Sequence, residues 1–168
     1  MKYYVMKKLR NPYTQMEGYN CFGCSPGNMA GLRMEFYDEG EEICCKWKPI
    51  KVFQGYKNVL HGGIQVTMMD EIASWVVQAK LGTAGVTCKI ESQFFKPVFM
   101  TEDYILLRAK VKEVKRNIVI VETGLYNTSN ELCSQSLVSY FTVKSEVARE
   151  KYFYPGKESF YGETHNHR

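Results

Sequence analysis

The stretch NVLHGGIQVTMMDEIASWVV, residues 58–77, decides the fold that we predict for this chain. No proline and no further glycine follows Gly63 before Lys80, a length that suffices for about four or five helical turns. At about 100° per residue, the polar side chains share an arc of about 100° and the apolar ones fill most of the rest. The polar seam consists of Thr67, Asp70, Glu71, Ser74 and Gln78. Because a surface helix has the opposite proportions, we predict a helix that is buried on most sides.

The seam carries two adjacent carboxylates, Asp70 and Glu71. Burying a carboxylate costs several kcal/mol unless it is paired or hydrogen-bonded. Two interpretations follow from this cost. The carboxylates face solvent or a partner subunit, where they bond to neighbouring backbone, or one of them is a general base at the floor of a cleft.

The residues His61, Gly62 and Gly63 stand where the helix begins. Glycines there let a ligand approach backbone N–H groups that have no acceptor within the helix, and the helix dipole favours negative charge at that end. These donors suit a developing oxyanion. Asp70 lies about 11 Å further along the helix, too far to act on the same carbon within one chain. A site shared between two subunits solves this, and we therefore predict a dimer.

His61-Gly62-Gly63 is followed by an apolar run, and Asp70 comes nine residues after His61. In this pattern the chain resembles the hot-dog-fold acyl-CoA thioesterases, in particular the phenylacetate-pathway group. The resemblance covers roughly residues 21–144. It implies an α+β hot-dog fold in which a curved antiparallel sheet of about five to six strands wraps a long central helix. It also implies homodimers or homotetramers that hydrolyse acyl-CoA thioesters, with CoA as part of the substrate and no other cofactor.

Carried over by position, the resemblance assigns the site residues. Asp70 would be the base or nucleophile, Gly62 with Gly63 the oxyanion donor, and Thr87 a hydroxyl on the next strand that orients water or the carboxylate. Glu71 is the alternative base, since other hot-dog enzymes use a glutamate on this helix.

The chain departs from the family pattern six residues before the histidine. Some members carry Asn or Gln there, but this chain has Gly55, so Asn58 or Gln54 would have to take that role. For the CoA phosphates we consider Lys89, Lys96 and Arg116, all near predicted strand ends; solvated strand faces explain these cations equally well.

Periodicity gives the strands independently of the resemblance. Residues 32–37 and 43–47 alternate around a turn at 38–40 and predict a hairpin. After Gly82, which we expect to end the helix, residues 86–91, 105–112, 118–126 and 132–143 alternate again, and we predict that they follow one another as hairpins. Two strands, a helix and four strands indicate an α+β protein with an antiparallel sheet.

The flanking segments are predicted separately from the hot-dog domain at 21–144. Residues 1–20 form a lead-in with a short helix over Val5, Met6 and Leu9. Residues 145–168 are rich in aromatic side chains, and we predict that they form a short helix followed by an arm on a neighbouring subunit. His165 and His167 in this tail are not expected to be ligands.

The spacing of Cys21 and Cys24 is that of a zinc knuckle or a redox pair. A structural zinc needs further ligands, and the candidates are Cys44 and Cys45, whose side chains would point to opposite faces of a strand. We therefore predict no metal site, and two reduced thiols that pack a turn.

Composition limits the remaining function classes. A net charge of +4 without long basic runs does not indicate nucleic-acid binding. No apolar stretch is long enough for a membrane span, and the first ten residues have no secretory apolar core, so we expect a cytoplasmic protein with no membrane partner. The alternatives to a thioesterase are a non-catalytic acyl-CoA-binding module and a hot-dog dehydratase; His61 does not reproduce the Asp/His pair of the latter.

Overall fold

The computed structural model describes residues 6–162. One long helix, α1 (Gly62–Val76), continues into a π-helical turn at Val77–Leu81 and ends at Gly82, which adopts the left-handed conformation with φ 74°. The strands are β1 (Lys7–Lys8), β2 (Tyr37–Glu39), β3 (Glu42–Trp47), β4 (Gly85–Phe94), β5 (Ile105–Lys115), β6 (Ile118–Tyr126) and β7 (Leu132–Thr142). A second helix, α2 (Ser145–Tyr152), follows the last strand. The predicted helix end at Gly82 is confirmed.

The seven strands in the described part of the chain form one antiparallel sheet, in the order β1-β2-β3-β5-β6-β7-β4. The α+β hot-dog prediction is confirmed, although the sheet has seven strands within residues 6–162 rather than five or six. The predicted hairpin succession after the helix is wrong at its first step. β4 pairs with β7, so the segment after Phe94 crosses the sheet instead of turning back. The reason is that the shared apolar alternation of strands 4 to 7 does not encode which of them are neighbours.

The helix α1 is buried on most sides, as predicted. It contacts β3, β4, β5, β6 and β7, and its apolar side chains form the centre of the core. Met68, Met69, Ile72, Ala73 and Val76 are all fully buried. Burial of one large apolar side chain stabilises the fold by about 1.5–3 kcal/mol. This gain outweighs the free-energy cost of placing β-branched isoleucine and valine in a helix. None of the helices within residues 6–162 is long and apolar enough to cross a membrane.

The first predicted hairpin is shifted along the chain. β2 begins only at Tyr37, whereas residues 32–36 belong to no strand. Leu32, Met34 and Phe36 nevertheless alternate into the core as predicted. Arg33 has φ 51°, a conformation that a regular strand does not accept, and this explains why the strand starts late.

The lead-in does not contain the predicted helix over Met6 and Leu9; Val5 lies outside the described residues. Lys7 and Lys8 form a short edge strand on β2 instead. Leu9 is buried in the core, and the side chain of Asn11 donates to the carbonyl of Cys24. The described part of the lead-in therefore packs on the domain. A two-residue strand gives no periodic signal from which it could be predicted.

The described end of the chain, residues 145–162, packs on its own domain rather than forming an arm on a neighbour. The predicted short helix is confirmed as α2. Phe160 is fully buried and its ring meets Trp75 edge-on at 5.3 Å between centroids. Tyr154 donates to the carbonyl of Gln78 at the end of the central helix. His165 and His167 lie outside the described residues.

The half-buried Asp38 ties this C-terminal segment to β2. Its carboxylate bonds to Lys80 at 2.6 Å and accepts from Tyr161 at 2.6 Å. Burial raises the pKa of Asp38, but the bonds from Lys80, Tyr161 and the Gly40 amide outweigh burial and hold the pKa below its ordinary value of 3.8. A carboxylate with a lowered pKa stabilises the fold above its unfolded pKa and loses that contribution as pH falls through the folded value.

We therefore expect Asp38→Asn to lower the free energy of unfolding most at neutral pH. The deficit relative to the unsubstituted protein should shrink as pH falls below about 4. Urea unfolding at a series of pH values measures this. The exposed Asp103→Asn is the matched control, and a deficit for Asp38→Asn that does not change with pH would contradict the assignment.

Candidate active site

Asp70 is held in place by two hydroxyl groups from the sheet. Thr87 Oγ1 donates to Asp70 Oδ1 at 2.9 Å, and the Tyr140 hydroxyl lies 2.6 Å from the same oxygen. The Tyr140 hydroxyl is also 2.6 Å from the Asp70 backbone carbonyl. Within residues 6–162, no hydrogen bond is made to Oδ2. One carboxylate oxygen is thus fixed, and the other is available to a ligand or a water.

Thr87 and Tyr140 reach Asp70 together because they are direct cross-strand partners on β4 and β7. The register of this strand pair shifts immediately afterwards, between Thr87 and Lys89, which is a β-bulge or irregularity. Bulges bend a strand and redirect its side chains, and they are common next to active sites. The sheet therefore presents both hydroxyls to the same point on α1.

Burial, followed by the adjacent charge of Asp70, raises the pKa of Tyr140 far above its ordinary value of 10. The phenol consequently stays protonated at physiological pH and is a hydrogen-bond donor to Asp70. Our sequence analysis did not find Tyr140. The alternation of β7 is compatible with an inward-facing tyrosine, but nothing local links it to an aspartate 70 residues away.

At the start of α1, the two glycines have different roles. His61 caps the helix, and its Nδ1 accepts from the Gly63 amide at 2.9 Å. The Gly62 amide has no acceptor within the described part of the chain. The ring of Phe94 lies beside it, 3.6 Å from the position a Cβ would take. Of the two amides predicted as oxyanion donors, Gly62 is therefore the available one, and His61 orients the turn.

The alternative base, Glu71, points to a different part of the molecule. Its carboxylate lies under the turn of Cys21 to Cys24, 3.6 Å from the Cys21 sulfur, and accepts from Trp75 Nε1 at 3.2 Å. Burial, and then the neighbouring Cys21, raise the pKa of Glu71 to about 7. That pKa would suit a base, but the turn covers the carboxylate.

Asn58 and Gln54 hold the loop that precedes the helix. Gln54 Oε1 accepts from the Asn58 backbone amide at 3.3 Å, and the Asn58 carbonyl accepts from the Met100 amide at 3.0 Å. Asn58 has φ 64°, which asparagine tolerates better than most residues. Both residues thus contribute to the shape of the loop beside the helix start.

The three predicted phosphate ligands lie apart in one chain. Lys89 pairs with Glu91 at 3.0 Å on β4, and Lys96 pairs with Glu131 beyond the end of that strand. Arg116 lies in the turn between β5 and β6, with φ 54°. The two ends of β4, Gly85 and Phe94, are about 30 Å apart at the rise of a strand. Lys96 is at the Phe94 end, near the helix start, and Arg116 is at the opposite end.

Comparison with known proteins supports the same fold. Residues 57–134 match the model of the Thioesterase superfamily. This segment, somewhat less than half of the chain, is similar to the thioesterase superfamily. The matched segment contains α1, β4, β5 and β6 and therefore includes His61, Gly62, Asp70 and Thr87, but not Tyr140. The superfamily match does not distinguish the phenylacetate-pathway group from other members, so that part of the resemblance stays a prediction.

Several solved structures are similar to this hot-dog domain. RHA08564, a thioesterase superfamily protein, has a TM-score of 0.64 at 17% identity; the match covers 69% of this chain and 57% of RHA08564. Thioesterase HI1161 from Haemophilus influenzae has a TM-score of 0.63 at 22% identity, covering 72% and 85% of the two chains. The protein smu.793 from Streptococcus mutans, bound to acetyl CoA, has a TM-score of 0.63 at 14% identity, covering 78% and 98%. No match was found among curated proteins.

Proposed function

We propose that this hot-dog domain hydrolyses an acyl-CoA thioester with Asp70 as the catalytic carboxylate. The observation that carries the proposal is the anchoring of Asp70 Oδ1 by Thr87 and Tyr140, which leaves Oδ2 available. The superfamily match and the acetyl CoA bound to the similar protein smu.793 support the substrate class.

In this mechanism a water is positioned by Asp70. The water oxygen attacks the thioester carbonyl while Asp70 Oδ2 accepts a proton from the water. The Gly62 amide stabilises the oxyanion that forms. The C–S bond then breaks and CoA leaves as a thiolate, which needs little acid assistance because thiols are far more acidic than alcohols. Direct attack by Asp70 on the carbonyl uses the same residues, with an acyl anhydride hydrolysed in a second step.

The mechanism requires two subunits, because Gly62 and Asp70 are about two helical turns apart on the same helix. The edge strand β4 supplies a surface for the second copy. It lies at one end of the sheet and exposes Val86 and Phe94, and Phe141 is exposed on the neighbouring strand. An edge strand with exposed apolar side chains favours pairing with another chain. Light scattering after size exclusion tests this step: we expect a dimer or tetramer, and a strict monomer would contradict it.

Thr87→Val should lower the rate of thioester hydrolysis by about tenfold. Valine keeps the shape of the side chain and removes the hydroxyl, so Asp70 loses one of its two orienting bonds. Thr87→Ser is the matched control and should retain most of the activity. If Thr87→Val and Thr87→Ser had equal rates, the hydroxyl would have no part in the reaction.

The proposal itself is tested by offering acyl-CoAs of different chain length, and an aryl-acyl CoA, to the purified protein. Release of the CoA thiol is followed with a chromogenic disulfide, and CoA binding is measured separately. Because the protein has its own exposed Cys88, the signal is corrected with a substrate-free sample. We expect turnover of at least one member of the panel. Binding of CoA without any turnover would favour the non-catalytic module.

A further inference from the structure

A second cluster of reactive side chains lies on the central helix, outside the proposed active site. The sulfurs of Cys21 and Cys24 and the carboxylate of Glu71 all lie within 4.8 Å of one another. Cys21 Sγ is 3.6 Å from both oxygens of the Glu71 carboxylate. The cluster joins the turn before β2 to the second half of α1, and the proposed hydrolysis does not use it.

The turn is shaped to hold the two sulfurs over this carboxylate. A Cβ on Gly23 would lie 2.4 Å from the Glu71 carboxyl carbon, so a side chain at that position would displace the carboxylate.

The charge of Glu71 is not balanced by a cationic side chain. Among residues 6–162, no lysine, arginine or histidine forms an ion pair with it. A shielded carboxylate beside two thiols is costly to keep ionised, since desolvation disfavours the charged form. A bound divalent cation would remove this cost.

We propose that Cys21, Cys24 and Glu71 bind a zinc ion through both sulfurs and one carboxylate oxygen. Binding releases the thiol protons to solvent and leaves the fourth position to a water. Two sulfurs and an oxygen are donors that zinc accepts, whereas magnesium and calcium require oxygen ligands. This proposal replaces our sequence-based expectation of no metal, which considered Cys44 and Cys45 but not a ligand on the helix.

The distances agree with tetrahedral zinc. Bond lengths of about 2.3 Å to sulfur and 2.0 Å to oxygen place the two donor atoms about 3.5 Å apart, close to the 3.6 Å between Cys21 Sγ and Glu71. Trp75 Nε1 donates to Glu71 Oε1, which would orient the carboxylate, and the Tyr19 hydroxyl lies 2.9 Å from Cys24 Sγ. Hydrogen bonds from neighbouring groups commonly fix the orientation of metal-binding side chains.

The test is zinc binding by the reduced full chain, and it does not depend on thioesterase activity. Protein purified with a thiol reductant is freed of metal, titrated with zinc chloride and analysed by mass spectrometry for metal content. We expect about one zinc per chain, and an increase in the midpoint of thermal unfolding with zinc. Cobalt chloride should give a thiolate-to-cobalt charge-transfer band.

Three variants decide which residues bind the ion. Cys21→Ser and Glu71→Gln should each lose at least about tenfold in zinc affinity, while the exposed Cys88→Ser, as the matched control, should keep it. Circular dichroism of the metal-free variants confirms that they fold. No zinc uptake by the reduced protein, or uptake that survives both Cys21→Ser and Glu71→Gln, would overturn the proposal. A Cys21–Cys24 disulfide that re-forms in place of metal binding would also overturn it.

Discussion

Asp70→Asn is expected to lower the rate of thioester hydrolysis by about 10²-fold or more. Asparagine has nearly the same shape and can still accept from Thr87 and Tyr140, but its amide cannot take a proton from water or attack the carbonyl. The effect should therefore appear in kcat, with little change in CoA binding. Thiol release at saturating acyl-CoA and CoA binding by calorimetry measure the two quantities separately.

Asp103→Asn is the matched control for this experiment, because Asp103 is exposed and lies on the segment between β4 and β5. It should retain full activity. Undiminished hydrolysis by Asp70→Asn would rule out Asp70 as the catalytic carboxylate and make Glu71 the next candidate. Absence of hydrolysis in both the unsubstituted protein and the variant, with CoA binding retained, would favour the binding module.

Phe160→Ala is expected to lower the free energy of unfolding by about 3–5 kcal/mol, the usual cost of truncating a buried phenylalanine. The ring of Phe160 is completely buried and contacts the rings of Trp75, Tyr13 and Tyr154. Its loss leaves a cavity between the C-terminal segment and the central helix. Urea unfolding followed by tryptophan fluorescence should report it, since Trp75 lines the cavity.

The matched control is Phe153→Ala, seven residues earlier, where the ring is 65% exposed. This substitution should change stability far less. Unfolding is measured at several protein concentrations, because dissociation of an oligomer would otherwise contribute to the transition. Equal destabilisation by both substitutions would contradict the packing of the C-terminal segment on its own domain.

The features that sequence analysis predicted well depend on neighbours along the chain. The helix from Gly62 and its end at Gly82 follow from a run without breakers and from glycine in the left-handed conformation. The strands after the helix follow from alternation with period two. We selected Asp70 as the candidate base because a carboxylate on a buried helix must be paired, hydrogen-bonded or used in a reaction. The distance between Asp70 and the start of the helix follows from helix geometry alone.

The features that it missed depend on contacts between distant segments. Alternation cannot distinguish β5 from β7 as the partner of β4, and that choice brings Tyr140 beside Thr87. The separate roles of Asp70 and Glu71 also became clear only from the structure. Adjacent side chains on a helix point about 100° apart, so the two carboxylates contact different parts of the molecule. We predicted that Phe160 belongs to an arm on a neighbouring subunit. An aromatic segment in a sequence does not indicate whether it packs on its own domain or on another chain.

The sequence by itself determined the central helix and an antiparallel sheet, because both follow from backbone preference and local periodicity. Only the tertiary structure decided which hydroxyls hold Asp70, which thiols meet Glu71 and where the chain ends pack. The hydroxyls are 17 and 70 residues from Asp70. Contacts at such separations are selected by the packing of the whole core, which a local pattern does not specify.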